Sequence, residues 1–436
     1  MNAKFKTVTA IACSALCALT LTACSNGKST NLGKPSKAEY PDYRELIEES
    51  FVAFRDKAER FSSEFAEYAC SSAGEYANCA VSPFSVFSAL SLAAECAGGN
   101  TRQEILSALD VTYEQLSEQS SLFYRSVVQD GKTCTVAPTN SVWVNGGTRV
   151  NTSCIDALAQ NYFCHSYSTD FVKDNVQANK AVRYFVKKQT KGLIDRDFKL
   201  DTQTLFALVN TLYLKALWNS YGDEILFARE KYKFAASDGT ENSVRLLQGS
   251  YALGRAYDGV EYTSFYTTAC GGIKIKFIVP KDGFTLAQAF TAENIYEANA
   301  VDDYNATDEV NKVRYYTRCL FPEYKCAYNN TIDGVLREKF GINLLFEDPA
   351  KYGEGCDFSP LTDSGAYCGS VRHVTELTVN KRGIEGAAVT IIPGAGAAGP
   401  DEYETVYEDF IVDKAFGFVI TDNYGTTLFS GVVNKI

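Results

Sequence analysis

Residues Gly383–Pro400, GIEGAAVTIIPGAGAAGP, form a ribbon of small residues with a single charge, Glu385, close to the end of a 436-residue chain. The ribbon is placed like an exposed loop and composed like something to be buried. A flexible linker would be Gly/Ser-rich and would lead into another domain. The chain instead continues into DFIVDKAFGFVITDNYGTTLFSGVV, two strand-like runs split by Asn423 and Gly425, a sheet that closes a core. The ribbon is thus a long excursion from a compact domain, and excursions beyond about 15 residues are as a rule functional or disordered.

Its flanks decide between the two. Upstream, YCGSVRHVTELTVN reads as a strand in which Val371, His373, Thr375, Leu377 and Val379 share one face by the two-residue period. Lys381, Arg382 and Gly383 come next, and glycine lets a chain reverse. Beyond it Ile384, Gly386, Ala388, Thr390 and Ile392 alternate with Glu385, Ala387, Val389 and Ile391. Such a segment can double back and pair with the strand before it.

RGIEGAAVT resembles the hinge of the serpins, whose exposed reactive-centre loop is cut by a target protease and then inserts as a new central strand in the main sheet. The likeness runs over roughly residues 45 to 436, through NCAVSPFSVFSALSLAAECAGGNTRQEIL, LVNTLYLKALW, FPEYKC, DFSPLTD and VDKAFGFVITDNYGTTLFSGVV. The resemblance implies an α+β serpin fold, three β-sheets with about nine helices, and an exposed loop at about 383–409. Its hinge would be Gly383, Ile384, Glu385, Gly386, Ala387, Ala388, Val389 and Thr390.

The chain is longer than the usual single core of about 250 to 300 residues. With 46% hydrophobic and 13% aromatic residues it has ample material for a large packed fold. A net charge of −11 argues against nucleic acid or an anionic surface as partner. Met1–Cys24 carries Lys4 and Lys6, then a short apolar stretch ending Leu21-Thr22-Ala23-Cys24, shorter than the roughly 20 residues of a spanning helix, and reads as a secretion signal. The small residues before Cys24 resemble a bacterial lipobox, in which that thiol is acylated; the plainer alternative is ordinary signal cleavage nearby. The expected organisation is a lipoprotein signal over 1–23, a flexible tether over 24–42 and a serpin domain over 43–436. A tether of about 20 residues reaches roughly 25 Å, and a diacylated thiol supplies the two chains that stable anchoring takes. The resulting expectation is a monomeric, extracellular, cell-surface lipoprotein of a bacterium.

From Tyr43, Ile47, Phe51, Phe54, Ala58, Phe61 and Phe65 recur at alternating four and three residues, an amphipathic helix. Ser82 is a good N-cap and Pro83 suits the first helical position. That helix is expected to end near Gly98-Gly99, with Thr101 and Glu104 forming a capping box for the next. Residues 205–218, LFALVNTLYLKALW, read as a strand buried on both faces, so Asn210 in its middle needs a partner. The candidates are His373 and the hydroxyls of Ser82 and Ser85. By the serpin resemblance, Ser82, Ser85, Asn210 and His373 match the shutter cluster beneath the opening of the main sheet, and Trp218 matches the tryptophan at the breach where insertion begins.

Signals for other chemistry are weak. Gly394-x-Gly396-x-x-Gly399 with Asp413 imitates a dinucleotide fingerprint, but Asp401, Glu402 and Glu404 place negative charge where a pyrophosphate must sit. There are two histidines and no Gly-x-Ser-x-Gly, Cys164 and His165 are merely chain neighbours, and no Cys-x-x-Cys exists. No catalytic residue, cofactor or metal is expected. Setting aside Cys13, Cys17 and Cys24 leaves 11 of the 14 cysteines in the body, an odd number. Cys70 with Cys79, Cys319 with Cys326 and Cys356 with Cys368 are the local pairs to test.

The reading is a suicide-substrate inhibitor of serine proteases, held in a covalent acyl-enzyme complex. Counting the family's usual 14 residues from Gly383 places the reactive bond at Ala397–Ala398, and alanine suits the small primary pocket of elastase-type enzymes. Counting back from Lys414-Ala415-Phe416 places it about seven residues later, so the loop is long on its C-terminal side. Four residues depart from the inhibitory pattern: Lys381, Ile384, Val389 and Pro393, the last lacking a ladder donor. The alternative is therefore a non-inhibitory serpin serving as a binding or structural surface protein.

Overall fold

Phe51, Phe54, Ala58, Phe61 and Phe65 lie on one buried stripe of the helix Glu49–Ser72, as their spacing predicts. In the computed structural model, which describes residues 28–436 except 201, 203, 220, 301–305, 349–354, 365–367, 369–370 and 385–402, the helix does not run unbroken from Tyr43. A first turn, Tyr43–Leu46, is closed by an Asp42–Glu45 capping box, the chain bends at Ile47–Glu48, and Ile47 is left exposed at the bend. Pro83–Cys96 comes next as expected, N-capped by Ser82. It is an almost wholly buried helix and packs on Glu49–Ser72.

The next helix, Gly99–Ala108, corrects one expectation. Its N-cap is Gly98, so Thr101 and Glu104 lie inside the helix and form no capping box. Both side chains serve another segment instead: the Thr101 hydroxyl accepts from the Asp357 N–H, and the Glu104 carboxylate accepts from the N–H groups of Asn343 and Leu344. Tertiary demand has taken residues whose spacing alone suits a cap.

Ten α-helices surround three principal sheets among the described residues, with a small hairpin of Tyr232–Ala235 and Glu241–Val244 beside them. The main sheet orders its strands Thr30–Gly33, Cys164–Thr169, Cys134–Asn145, Phe206–Leu217, Gly383–Ile384, Arg372–Asn380 and Tyr324–Thr331, with Gln129–Asp130 paired onto Cys134–Asn145. All pairs are antiparallel except Cys134–Asn145 with Cys164–Thr169. The second sheet contains the C-terminal hairpin Phe416–Thr421 and Thr427–Val433, the two runs read from the sequence. Its edge strand, Cys79–Val81, leads into Ser82. In the third sheet Val313–Pro322 pairs in parallel with Glu404–Ile411, the strand that leaves the long loop.

Residues 24–42 are not free along their whole length. Thr30–Gly33 adds an edge strand to the main sheet against Cys164–Thr169, and the Thr169 hydroxyl donates to the Lys28 carbonyl at 2.6 Å. The composition of this segment is polar enough for a tether, but backbone pairing on a sheet edge needs little side-chain burial, so composition alone does not reveal it. Among the described residues no helix is long and apolar enough to cross a membrane.

Candidate functional site: an opening in the main sheet

The site lies between two long strands, Phe206–Leu217 and Arg372–Asn380, which form its walls. On the second wall His373, Thr375, Leu377 and Val379 are buried and alternate with half-buried residues, as the two-residue period predicts. On the first, burial is less uniform than a strand covered on both faces: Ala207, Leu208, Asn210, Leu212 and Lys215 are only half-buried. The reason lies in how the walls meet. Among the described residues no ladder joins them directly, and they are bridged only at the top, where Gly383 pairs with Leu217 and Asn380, and Ile384 with Ala216 and Val379.

Glycine is required at 383 because a Cβ there would stand 2.3 Å from the Ala216 carbonyl oxygen and 2.8 Å from the Leu217 Cα. Ile384 is completely buried. A hinge waiting outside the sheet for cleavage would leave Ile384 at the open end; the structure places it inside the sheet already. The apolar residue that departs from the inhibitory pattern thereby gains a packed environment. A substitution such as Ile384→Arg disturbs the intact protein too, and so cannot isolate the inserted state.

The turn before this stub is held by charge. The Glu224 carboxylate takes an ion pair from Lys381 at 2.7 Å and another from Arg382 at 3.0 Å, and these two cations hold its carboxyl below the usual range. Glu323 accepts from the Lys381 N–H at 2.9 Å. Trp218 lies directly beneath, its indole N–H donating to the Asn380 carbonyl and its ring edge-on to Phe321. Glu224 and Glu323 are not legible as site residues in the sequence, since a surface acid gives no sign of which turn it will clamp. Glu385, Gly386, Ala387, Ala388, Val389, Thr390, Ala397 and Ala398 lie outside the described residues, as does Cys24.

Below the stub the polar cluster assembles. The Ser82 N–H donates to His373 Nε2 at 3.0 Å, and the Ser82 and Ser85 hydroxyls are 3.0 Å apart. His373 is thus an acceptor at Nε2 with its proton on Nδ1, packed edge-on to Phe65 and tilted against Tyr328. Burial lowers its pKa to about 4, so it is neutral at physiological pH. Asn210 does not pair with His373 or with the serines, as expected from sequence; its Nδ2 donates to Asn140 Oδ1 at 2.5 Å, and Asn140 in turn donates to the Tyr162 carbonyl at 2.7 Å. Asn140 carries the same signal that singles out Asn210, a buried amide in an apolar strand, and the sequence reading missed it. Asn210 Oδ1 has no hydrogen-bond partner among the described residues.

A cavity of about 20 Å³ lies at this level, lined by Ser82, Ser85, Asn210, Leu212, His373 and Thr375. A second of about 310 Å³ continues along the seam, lined by residues that include Leu90, Ile194, Phe206, Leu208, Val371 and Val374. Across the front of the seam, Arg196 from the segment after helix Asn175–Gln189 reaches Glu376 on the second wall at 3.4 Å. The two ends of the long loop are therefore fixed in different sheets. Ile384 sits in the main sheet, while at the far end Tyr403 donates to Glu309 at 2.7 Å and Glu404 begins a strand of the third sheet.

These features define an α+β protein whose central sheet, among the described residues, has two walls unpaired with each other and a loop stub seated at the head of the gap between them. Comparison with known proteins gives the family. A profile described as Serpin (serine protease inhibitor) matches residues 56–436, and the chain belongs to the serpin family. A putative serpin-Z6C of Oryza sativa subsp. japonica is 24% identical over 413 residues, covering 86% of this chain and 94% of its own. Serpin-Z1A of Triticum aestivum is 27% identical over 384 residues, covering 82% and 90%. Among solved structures, the thermophilic serpin Tengpin in its native state superposes with a TM-score of 0.70 at 19% identity, over 94% of this chain and 100% of that one. Arabidopsis AtSerpin1 in a native stressed conformation gives 0.71 at 21% identity, over 88% and 98%. The fold is the serpin fold.

A neutral buried histidine makes stability acid-sensitive. Its folded pKa lies below the ordinary 6.5, so its contribution is complete above about pH 6.5 and is lost as pH falls toward 4. Buried Glu59 and Asp422, raised to about 7 and about 6, act in the opposite sense, losing their contribution as pH rises. They are common to parent and variant, so the difference isolates His373. Relative to His373→Gln, the parent is expected to lose about 1.4 kcal/mol per pH unit across this window, read from denaturant midpoints. A pH-independent difference would contradict the burial of a neutral ring.

Proposed function

We propose that this protein is a suicide-substrate inhibitor of extracellular serine proteases of elastase-like, small-residue specificity, and is not itself an enzyme. The observation that carries the reading is the Gly383–Ile384 stub, seated between two walls that do not pair with each other below it among the described residues. Its register can be continued. Ile384 stands between Ala216 and Val379, and six steps further down each strand Thr390 falls between Asn210 and His373. By alternation Ile384, Gly386, Ala388, Thr390 and Ile392 then face inward, and Glu385, Ala387, Val389 and Ile391 face the helix Asn175–Gln189. Small residues suit the narrow upper seam, and the Thr390 hydroxyl would meet Asn210 Oδ1, an acceptor without a donor among the described residues.

The mechanism derives from this geometry. The protease attacks the Ala397–Ala398 bond and becomes acylated, and the released loop enters the seam. About 14 inserted residues at 3.3 Å each carry the acyl-enzyme some 45 Å. At roughly 1 kcal/mol net per new hydrogen bond, the added strand contributes on the order of 10 kcal/mol to trapping it. Thyroxine-binding globulin, solved in complex with thyroxine, shares the fold at a TM-score of 0.70 and 19% identity, and a non-inhibitory binding role is the reading to which failure of the next test would point.

Since Ile384 is already buried, the test moves down the loop. Thr390→Arg should leave the thermal stability of the uncut protein within about a degree of the parent. An unpaired guanidinium opposite His373 opposes insertion by several kcal/mol, and a barrier raised by only about 1.4 kcal/mol gives hydrolysis a tenfold advantage. Mixed with an elastase-type protease, the parent should form a complex that survives denaturing gels, and the variant should be cut at the same bond and release active protease. Mass spectrometry should place the cut after Ala397. Cleavage after Tyr403 or Glu404 would overturn the reactive-bond assignment, and undiminished complex with Thr390→Arg would overturn the register.

We further propose that the chain is a bacterial surface lipoprotein acylated at Cys24, monomeric and without nucleic-acid partners. The support is the Leu21-Thr22-Ala23-Cys24 motif after a short apolar stretch. With Lys28 held at Thr169, the leash is shorter than composition suggests, at most about 14 Å from Cys24 to Lys28. Cys24→Ala should release the protein from the membrane fraction and leave inhibition unchanged. Unaltered fractionation would rule the anchor out.

A further inference from the structure

Two of the cysteines meet where no role has been assigned to them. Cys70 lies in the last turn of helix Glu49–Ser72 and Cys79 opens the strand Cys79–Val81; both are buried, and their sulfurs are 3.1 Å apart. The turn between them is pinned on both sides. Ala73 N–H donates to the Cys70 carbonyl and Ala77 N–H to the Gly74 carbonyl. The Asn78 side chain accepts from the N–H groups of Asn434 and Lys435, and the Asn434 side chain donates to the Ala77 carbonyl. Backbone hydrogen bonds and the Asn78 and Asn434 side chains, not the thiols themselves, thus hold the two sulfurs face to face. Closing the remaining distance of about 1 Å to a sulfur–sulfur bond takes a small side-chain rotation. Cys319 lies in the third sheet and Cys326 in the main sheet, so the comparable pairing suggested by their spacing spans two sheets.

We propose that Cys70 and Cys79 form a structural disulfide when the chain folds in the presence of a thiol–disulfide oxidant. One thiolate attacks a sulfur of the oxidant and releases one reduced thiol; the second displaces the other, so the protein loses two electrons and the oxidant leaves as two thiols carrying the protons. Burial pushes the Cys70 thiol up, which makes it a poor nucleophile once the core has closed, so the bond must form during folding. Cys326 lies beside the pair, its thiol donating to the carbonyl of Val432, the residue opposite Cys79 in the ladder, and is the internal competitor. The link would tie the end of the long helix to the strand that delivers Ser82 beneath His373, three residues on. The proposal requires neither inhibition nor the lipid anchor, and its test does not read them.

The full chain is refolded with a reduced/oxidised glutathione couple or with reductant alone, denatured in N-ethylmaleimide and cut after glutamate, which separates Cys70 from Cys79 at Glu75. In the glutathione sample the two peptides should stay joined until reduced. The melting midpoint should exceed that of the reductant-folded sample by about 3–5 °C. Cys70→Ala/Cys79→Ala should melt alike from both refoldings. N-ethylmaleimide on both Cys70 and Cys79 after glutathione refolding, or a Cys79–Cys326 link in place of Cys70–Cys79, would overturn the assignment.

Discussion

The structure depends on a main sheet whose two central walls are not paired to each other among the described residues. A strand's inner edge carries backbone donors and acceptors that must find partners, and among the described residues these two walls share a partner only at Gly383 and Ile384. The rest of the site is arranged around that constraint. The stub fixes the register for any strand that continues it, Glu224 and Glu323 hold the turn that delivers it, and the seam below keeps a cavity of about 310 Å³ in a molecule otherwise closely packed. A packed interior resists such a void unless the surrounding elements are rigid enough to maintain it. The helices Glu49–Ser72 and Pro83–Cys96 supply that rigidity from behind, and the helix Asn175–Gln189 with the segment after it covers the front.

Polar groups form the floor. His373, Ser82, Ser85, Asn210 and Asn140 are all removed from most solvent, and hydrogen bonds tie them to one another or to nearby backbone. The neutral imidazole takes its hydrogen bond from a backbone N–H, so it joins the second sheet's edge strand to the main sheet without carrying charge into the core. The unsatisfied acceptor on Asn210 costs stability in the uncut chain. It also lies at the level the stub's register would bring to Thr390, so the same defect would be repaired on insertion. The uncut state is in this sense locally frustrated at the site of its proposed change.

Much of this is legible in the sequence. The period-two face of His373 to Val379, the buried helix after Ser82-Pro83 and the C-terminal hairpin all derive from side-chain spacing, which is a local property. The failures are of one kind. Ile384's burial, Asn140 as Asn210's partner, Thr101 and Glu104 as clamps on distant loops, and Thr30–Gly33 as an edge strand each depend on which distant segment arrives at a given place. Asn140 alone has a usable signal, an amide in an apolar strand, but nothing local says that its strand will lie beside that of Asn210. The clamp at Glu224 leaves no mark at all, because an acid on a surface turn reads identically whether or not it meets Lys381 and Arg382.

The central claim is that the seam accepts a strand from the chain's own loop. Its most direct measurement is the thermal unfolding of the protein before and after the loop is nicked by a catalytic amount of an elastase-type protease. Filling the seam adds a full ladder to both walls, and on the order of 10 kcal/mol spread over a chain of this size raises the midpoint of the nicked protein by about 10 °C or more above the intact one. A nicked protein that melts at or below the temperature of the intact chain would show that the two walls do not take up the loop, and the account built on the Gly383–Ile384 stub would fall.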